Sequence, residues 1–256
     1  MAHPSLPLVV ANWKMALTLR ESEQFIRDAG AALDASAKNV AIILCPSFPA
    51  IAPVRDLLGQ SSVGLGAQDL SWELSGAYTG EVSGEQLKEL GCQYVIVGHS
   101  ERRSHLQETD AMVRSKLHAA LQVGLTPILC VGETRDQRLA GQQELVVLRQ
   151  IRSAFDGLSL DAPIVIAYEP VWMIGTGEPV DPRDAQAMVQ VVANELRAQY
   201  GDQRHATYVR YLYGGSVTKD NVKPFVRAEG IHGVLVGGAS HRPGSFTGLI
   251  HAVAEK

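Results

Sequence analysis

The sequence contains few cysteines. Cys45, Cys92 and Cys130 lie far apart along the chain and form no closely spaced pair of the kind that ligates a metal. An odd and sparse cysteine count is typical of proteins in a reducing compartment, where disulfides do not persist. We therefore expect a site without metal in a cytoplasmic protein.

Long hydrophobic runs and a strong charge of one sign are also missing. No apolar run approaches the roughly 20 residues that a membrane helix needs, and the first five residues lack the charged and apolar regions of a signal peptide. The net charge is -4 with both signs dispersed, which offers no basic surface for nucleic acid or anionic membranes. We expect a soluble protein whose partners include neither nucleic acid nor membrane.

What is present is an alternation of short apolar runs and amphipathic segments. The 256 residues are 46% hydrophobic, enough for a sizeable core in one large domain or two small ones. Capping boxes at Thr18 and Ser83 and the pair Asp181-Pro182 mark helix starts. Strands are predicted at residues 6–13, 40–45, 63–68, 94–98, 126–131, 164–167, 208–213 and 233–236.

Eight such runs indicate a parallel sheet covered by helices, because buried parallel strands are apolar on both faces. The count and the length fit an α/β protein with a closed (β/α)8 barrel, and no linker or composition shift divides residues 1–256, so we expect a single domain. A doubly wound open sheet is the structural alternative. In a barrel the site lies at the carboxyl ends of the strands.

The segment from Ile164 to Gly177 organises the chain. Ile164 to Ala167 is a β-branched apolar run typical of a buried strand, and Glu169 follows directly before Pro170. Because a residue before proline is kept out of the helical region, the carboxylate is held at the end of an extended segment. The loop beyond it mixes bulky apolar residues with glycines, which suits a segment that docks in one state and moves away in another. A surface acid on an ordinary turn is the simpler alternative for a lone glutamate.

Polar or glycine-rich motifs also follow four other strands. A lysine there can supply positive charge to an anionic substrate, a neutral histidine can donate a hydrogen bond to a carbonyl oxygen, and glycine-rich turns can present N–H groups to phosphate. Each motif also has a simpler interpretation: the lysine could be a solvated surface residue, the histidine a core residue, and the glycine pair an ordinary turn. The residues are Asn12 and Lys14 after the first strand, His99 after the fourth, Ser216 after the seventh, and Gly237 and Gly238 after the eighth.

Together these motifs closely resemble the triosephosphate isomerase family. The matching segments are Asn12-Trp13-Lys14, Gly98 to Arg103, Ala167 to Gly177, Tyr213 to Ser216 and Leu235 to Ser240, and the likeness runs from about Leu8 to Val253. The resemblance implies a TIM barrel that interconverts dihydroxyacetone phosphate and D-glyceraldehyde 3-phosphate through a cis-enediolate, in glycolysis and gluconeogenesis, without a cofactor.

The resemblance also implies a role for each site residue. Glu169 is the base, His99 the neutral electrophile, Lys14 a source of charge, and Asn12 a group that orients the substrate. Ser216, Gly237 and Gly238 bind the phosphate together with Gly175. Leu235 packs over the carboxylate and raises its basicity. Ser100 hydrogen-bonds the base when the lid is open, and Glu101 lies near Lys14. The lid comprises Pro170, Val171, Trp172, Met173, Ile174, Gly175, Thr176 and Gly177.

Within the irregular segment from Asp69 to Glu81, residues Gly76 to Glu81 resemble the loop that joins the two subunits of the family's homodimer. Its Thr79 would reach the partner subunit's site, whereas the alternative is a loop exposed to solvent. Thirteen residues without secondary structure are long for a compact domain, which favours an assigned role.

Four departures from the family pattern stand out: Met173 for alanine in the lid, Gln68-Asp69 where many members have Gln-Asn, His232 for aspartate, and His241 for an apolar residue. We expect them to affect lid energetics and local stability rather than the reaction. Two alternatives stay open, an isomerase for four-carbon ketose phosphates and a non-catalytic phosphosugar-binding protein.

Overall fold

The computed structural model describes residues 6–174 and 178–255, and its centre is a closed barrel of parallel strands. Each strand pairs with the next in sequence, and β8 returns to β1 with Leu8 opposite Gly233. This closure confirms the (β/α)8 prediction and excludes the open sheet. The strands are β1 (Leu8–Asn12), β2 (Ala41–Cys45), β3 (Gly64–Ala67), β4 (Tyr94–Val97), β5 (Thr126–Val131), β6 (Ile164–Tyr168), β7 (Val209–Tyr213) and β8 (Gly233–Val236).

Helices surround the barrel. They are α1 (Leu19–Ser36), α2 (Ile51–Leu58), α3 (Gly84–Glu89), α4 (Ser100–His105), α5 (Asp110–Gln122), α6 (Arg135–Leu139), α7 (Gln143–Phe155), α8 (Pro182–Tyr200), α9 (Asp202–Tyr208), α10 (Val222–Arg227) and α11 (Pro243–Ala254). Within the described ranges, no helix combines the length and apolar character needed to cross a membrane.

The helix starts follow the local signals in the sequence. Thr18 and Ser83 each form the expected capping box. The side chain of Asp181, which directly precedes Pro182, accepts the backbone N–H of Arg183. Several strands are a residue or two shorter at one end than predicted, because the hydrogen bonds between neighbouring strands stop where the chain turns into a loop. The short helices α6 and α9 were not predicted, since five to seven mostly polar residues carry no clear apolar period.

Strand periodicity decides which side chains enter the barrel. Successive residues of a strand point to opposite faces, and Leu8, Val10, Val165 and Ala167 belong to the cluster that fills the interior. The alternate residues of the same strands pack outward against the helices. Two residues beyond Val10 and Ala167, the same alternation points the side chains of Asn12 and Glu169 into the mouth of the barrel.

The backbone of Glu169 lies very close to that of Gly132, which follows β5. A Cβ atom on Gly132 would be 1.7 Å from the Glu169 carbonyl oxygen. The Glu169 N–H also donates to the Val131 carbonyl at 2.7 Å. A side chain at position 132 would therefore push the candidate base away from β5.

We predict that Gly132→Ala lowers the free energy of unfolding by about 3 kcal/mol or more, because backbone atoms cannot relieve the overlap. Gly30→Ala is the matched control, since a Cβ there meets only Ile26 at 3.4 Å within α1. Alanine in a helix interior should stabilise by roughly 0.5–1 kcal/mol. Urea unfolding measures both, and equal stabilities of the two variants would contradict the close approach.

Candidate active site

The carboxyl ends of the strands enclose a cavity of about 620 Å³. Nine of the site residues predicted from the sequence line this one cavity, although they come from five strand ends that are distant in the chain. They are Asn12, Lys14, His99, Glu169, Ile174, Ser216, Leu235, Gly237 and Gly238. The barrel therefore brings together an acid, an imidazole, an ammonium group and two glycine-rich turns.

Glu169 is the most enclosed charged group in this cavity, with 2% of its surface exposed. One carboxylate oxygen, Oε2, accepts the backbone N–H of Ser100 at 3.0 Å. The other, Oε1, lies 3.0 Å from Nε2 of His99. Gly214 makes room on the opposite side, since a Cβ there would come within 2.9 Å of the Glu169 Cγ.

His99 precedes α4 as its N-cap, and the start of this helix orients its ring. Its Nδ1 accepts the backbone N–H of Glu101 at 3.2 Å. A nitrogen that accepts an N–H carries no proton of its own, so the proton of the neutral ring lies on Nε2. The ring therefore donates toward Glu169 and toward the cavity.

The pKa of Glu169 differs from the sequence-based expectation. Burial does raise the pKa of this carboxyl, but the adjacent His99 and the Ser100 N–H outweigh it, so the net shift is downward. The expected gain in the basicity of Glu169 is therefore wrong for this conformation, because the expectation rested on the apolar wall and did not include the contact with His99.

The same contact acts on His99 in the opposite sense. Burial lowers the pKa of His99, whereas the Glu169 carboxylate raises it above its ordinary value. A second proton on the ring would nevertheless have to displace the Glu101 N–H from Nδ1. In the neutral ring the single proton therefore lies on Nε2, facing Glu169.

Lys14 has a strained backbone, with φ at 52°, a conformation that few residues other than glycine adopt. Two side chains satisfy its main-chain groups: Asn12 Oδ1 accepts the Lys14 N–H at 3.0 Å, and Gln68 Nε2 donates to the Lys14 carbonyl at 2.8 Å. The ammonium group forms a salt bridge with Glu101. Sequence reasoning missed the role of Gln68, because nothing in the sequence reveals the left-handed conformation of Lys14.

Glu133 anchors the first hinge of the predicted lid. This carboxylate is fully buried and accepts hydrogen bonds from Trp172 Nε1 at 2.9 Å and from the Tyr168 hydroxyl at 3.1 Å. Arg138 lies over the Trp172 ring with its guanidinium carbon 5.6 Å from the centroid. The hinge is thus tied to the end of β5.

The described part of the lid is short. Pro170 precedes one turn of 3-10 helix at Val171–Met173, and Ile174 lines the cavity. Met173 is partly buried against the main hydrophobic cluster. Gly175, Thr176 and Gly177 lie outside the described residues, so the phosphate-binding role predicted for Gly175 stays a prediction.

Thr79 lies apart from the cavity, on the exposed surface of the loop that follows β3. The large side chains Trp72 and Tyr78 on this loop are 39% and 47% exposed. Beside the loop, Arg102 pairs with Asp69 at 2.8 Å and with Glu108 at 2.6 Å, which makes it a structural ion-pair partner.

The departures at His232 and His241 have different surroundings. His232 Nδ1 accepts the Tyr211 N–H at 3.0 Å, far from the cavity, at the amino-terminal end of the barrel. His241, by contrast, lines the cavity near Lys14. Its position was not foreseen, because only the tertiary structure shows that the turn after β8 brings it toward β1.

We predict that His99→Leu raises the pKa of Glu169, because the carboxyl stays buried and loses its strongest stabilising partner. Carboxyl-carbon NMR titration of the labelled side chain measures this shift. His251→Gln, an exposed change on α11, is the control and should leave the pKa unchanged. An unchanged pKa of Glu169 in His99→Leu would show that the imidazole does not control the base.

Comparisons with known proteins agree over almost the whole chain. The family model described as triosephosphate isomerase matches residues 7–253. The triosephosphate isomerase of Chloroflexus aurantiacus is 48% identical over 248 residues, covering 96% of this chain and 98% of that protein. That of Symbiobacterium thermophilum is 47% identical over 251 residues, covering 97% of each. The crystal structure of triosephosphate isomerase from Bartonella henselae has a TM-score of 0.86 at 34% identity, covering 98% of this chain and 99% of that one.

Proposed function

The chain belongs to the triosephosphate isomerase family, and we propose that Glu169 and His99 carry out its proton transfers. The enzyme interconverts dihydroxyacetone phosphate and D-glyceraldehyde 3-phosphate through a cis-enediolate, a reaction of glycolysis and gluconeogenesis. The observation that carries the assignment of residues is the contact of 3.0 Å between the Glu169 carboxylate and His99 Nε2 at the wall of the shared cavity.

In the proposed mechanism Glu169 removes a proton from the carbon next to the substrate carbonyl and returns it to the neighbouring carbon. The carboxylate must first leave the Ser100 N–H, which holds it in the described conformation. In the described conformation its lowered pKa keeps it ionised at neutral pH, and loss of the Ser100 N–H on leaving makes it more basic.

His99 acts on the oxygen atoms of the substrate. Its Nε2–H donates to the carbonyl oxygen as negative charge develops there, and proton exchange at the two oxygens passes through the same nitrogen. The Glu101 N–H on Nδ1 keeps the ring in the tautomer that this step requires. Lys14 adds a positive charge beside the enediolate, and Asn12 orients the substrate from the end of β1.

The phosphate group is proposed to bind at the ends of β7 and β8. Ser216, Gly237 and Gly238 line the same cavity as the acid and the imidazole, which supports this placement. Lys14 approaches the turn as well, since a Cβ on Gly237 would be 3.1 Å from the Lys14 Cε. The lid from Pro170 to Gly177 would cover the bound substrate and exclude water, which protects the enediolate from loss of phosphate.

We also propose a homodimer and a cytoplasmic enzyme whose residues 1–256 act as one catalytic domain. The exposed Trp72 and Tyr78 support dimerisation, because large apolar side chains on one exposed loop indicate a covered surface. The three free, buried cysteines are in keeping with a reducing compartment.

Glu169→Asp withdraws the carboxylate by one methylene, and we expect kcat to fall by about 10²–10⁴-fold, the typical contribution of a general base. KM should change far less, because the phosphate contacts remain. A coupled assay with both triose phosphates and with a four-carbon ketose phosphate measures activity and substrate range. Glu195→Asp, on the outer surface of α8, is the control. An unchanged kcat in Glu169→Asp would refute the role of base.

Sedimentation at micromolar concentration should give twice the 27.6 kDa mass of the chain. Tyr78→Asp should shift the mass toward the monomer, because it places a charge in the proposed interface. Leu145→Asp changes a residue that is 68% exposed on α7 and should leave the mass unchanged. An active monomer in the unmodified protein would contradict the proposed dimer.

A further inference from the structure

His241 is a titratable residue in the cavity wall that the mechanism above does not use. It follows the 3-10 turn Gly238–Ser240 at the end of β8, and its N–H donates to the Gly238 carbonyl at 3.3 Å. Its side chain lines the cavity together with Gly237 and Gly238. The imidazole therefore belongs to the loop that is proposed to bind the phosphate.

Several charged or polar groups surround this ring. Lys14 and the Asn12 carbonyl face it from the end of β1, and Glu101 faces it from α4. Lys219 and Asp220 line the same cavity from the loop after β7, and Arg242 is the next residue in the chain. Protonation of His241 would thus add a cation beside Lys14, with Glu101 as the acid that faces the ring and with Glu169 and Asp220 elsewhere in the cavity wall.

One nitrogen of the ring, Nε2, is buried and has no hydrogen-bond partner among residues 6–174 and 178–255. A buried polar atom without a partner is uncommon and calls for an explanation. Burial and the Lys14 charge lower the pKa of His241, although the Asn12 carbonyl and Glu101 oppose them. The ring is therefore neutral at neutral pH.

We propose that His241 is a positioning residue of the phosphate site, which takes up a proton when a dianionic oxyanion binds and thereby strengthens binding at low pH. This inference rests on the proposed phosphate role of Gly237 and Gly238. A dianion near the ring offsets the repulsion from Lys14 and favours the imidazolium form. Proton binding and anion binding must then strengthen each other by the same factor.

The size of the effect follows from this linkage. Each unit by which the bound anion raises the pKa of His241 makes the protonated enzyme bind that anion tenfold more tightly. For a partly exposed ring we expect a rise of about half a unit to one unit, which corresponds to about three- to tenfold. The effect develops as the pH falls below the ordinary histidine range, and it is absent at higher pH, where the ring is neutral with or without the anion.

Inorganic sulfate is a suitable probe, because it stays a dianion throughout the relevant pH range. Its competitive inhibition constant against dihydroxyacetone phosphate is measured between about pH 5.5 and pH 8 in the unmodified protein and in His241→Gln, which keeps a polar side chain but does not titrate. We expect the ratio of the two constants to change by about three- to tenfold toward low pH. His251→Gln, which removes an exposed histidine on α11, should follow the unmodified protein.

The outcomes separate this inference from the proposed phosphate site. Parallel pH profiles in the unmodified protein and His241→Gln would overturn the role of His241, while competition by sulfate would still support the phosphate site. If sulfate fails to compete at any pH, the phosphate site itself is wrong. NMR titration of the His241 ring in the unmodified protein gives a second test: its pKa should rise with sulfate, and an unchanged pKa would refute the proposal.

Discussion

A buried carboxylate stays ionised only if donors reach it, and the arrangement around Glu169 follows from that constraint. The Ser100 N–H and His99 Nε2 each lie 3.0 Å from one carboxylate oxygen, and both come from the start of α4. Two glycines complete the arrangement, since any side chain at Gly132 or Gly214 would collide with Glu169. The base is thus held by three neighbouring strand ends, and the fold supplies both its donors and its space.

The positive side of the site is built on strain. Lys14 adopts a left-handed backbone conformation that costs free energy, and the side chains of Asn12 and Gln68 hold it there. The buried Trp13, packed on Phe25 at a ring distance of 4.8 Å, fixes the chain just before the turn. As a result the ammonium group faces Glu101 and the turn after β8 instead of open solvent.

Charge in this cavity is distributed so that no group acts alone. Glu169 is paired with His99 and Lys14 with Glu101, and His241 lines the same cavity near Lys14. Binding of a dianion changes this balance for all of them, because the enclosed wall screens charge less than water does. The contact of Trp172 with the buried Glu133 links the hinge to the same set of strand ends.

The sequence by itself determined the order of the strands and of the helices other than α6 and α9, because apolar runs, capping boxes and Asp181-Pro182 are local signals. It also identified nine of the residues that line the cavity, since their motifs follow strands whose carboxyl ends meet in a barrel. Only the tertiary structure decided the low pKa of Glu169, the tie between Gln68 and the strained Lys14, and the place of His241. These depend on distances between loops that are far apart in the chain, such as the approach of the turn after β8 to the end of β1, and no local pattern encodes such distances.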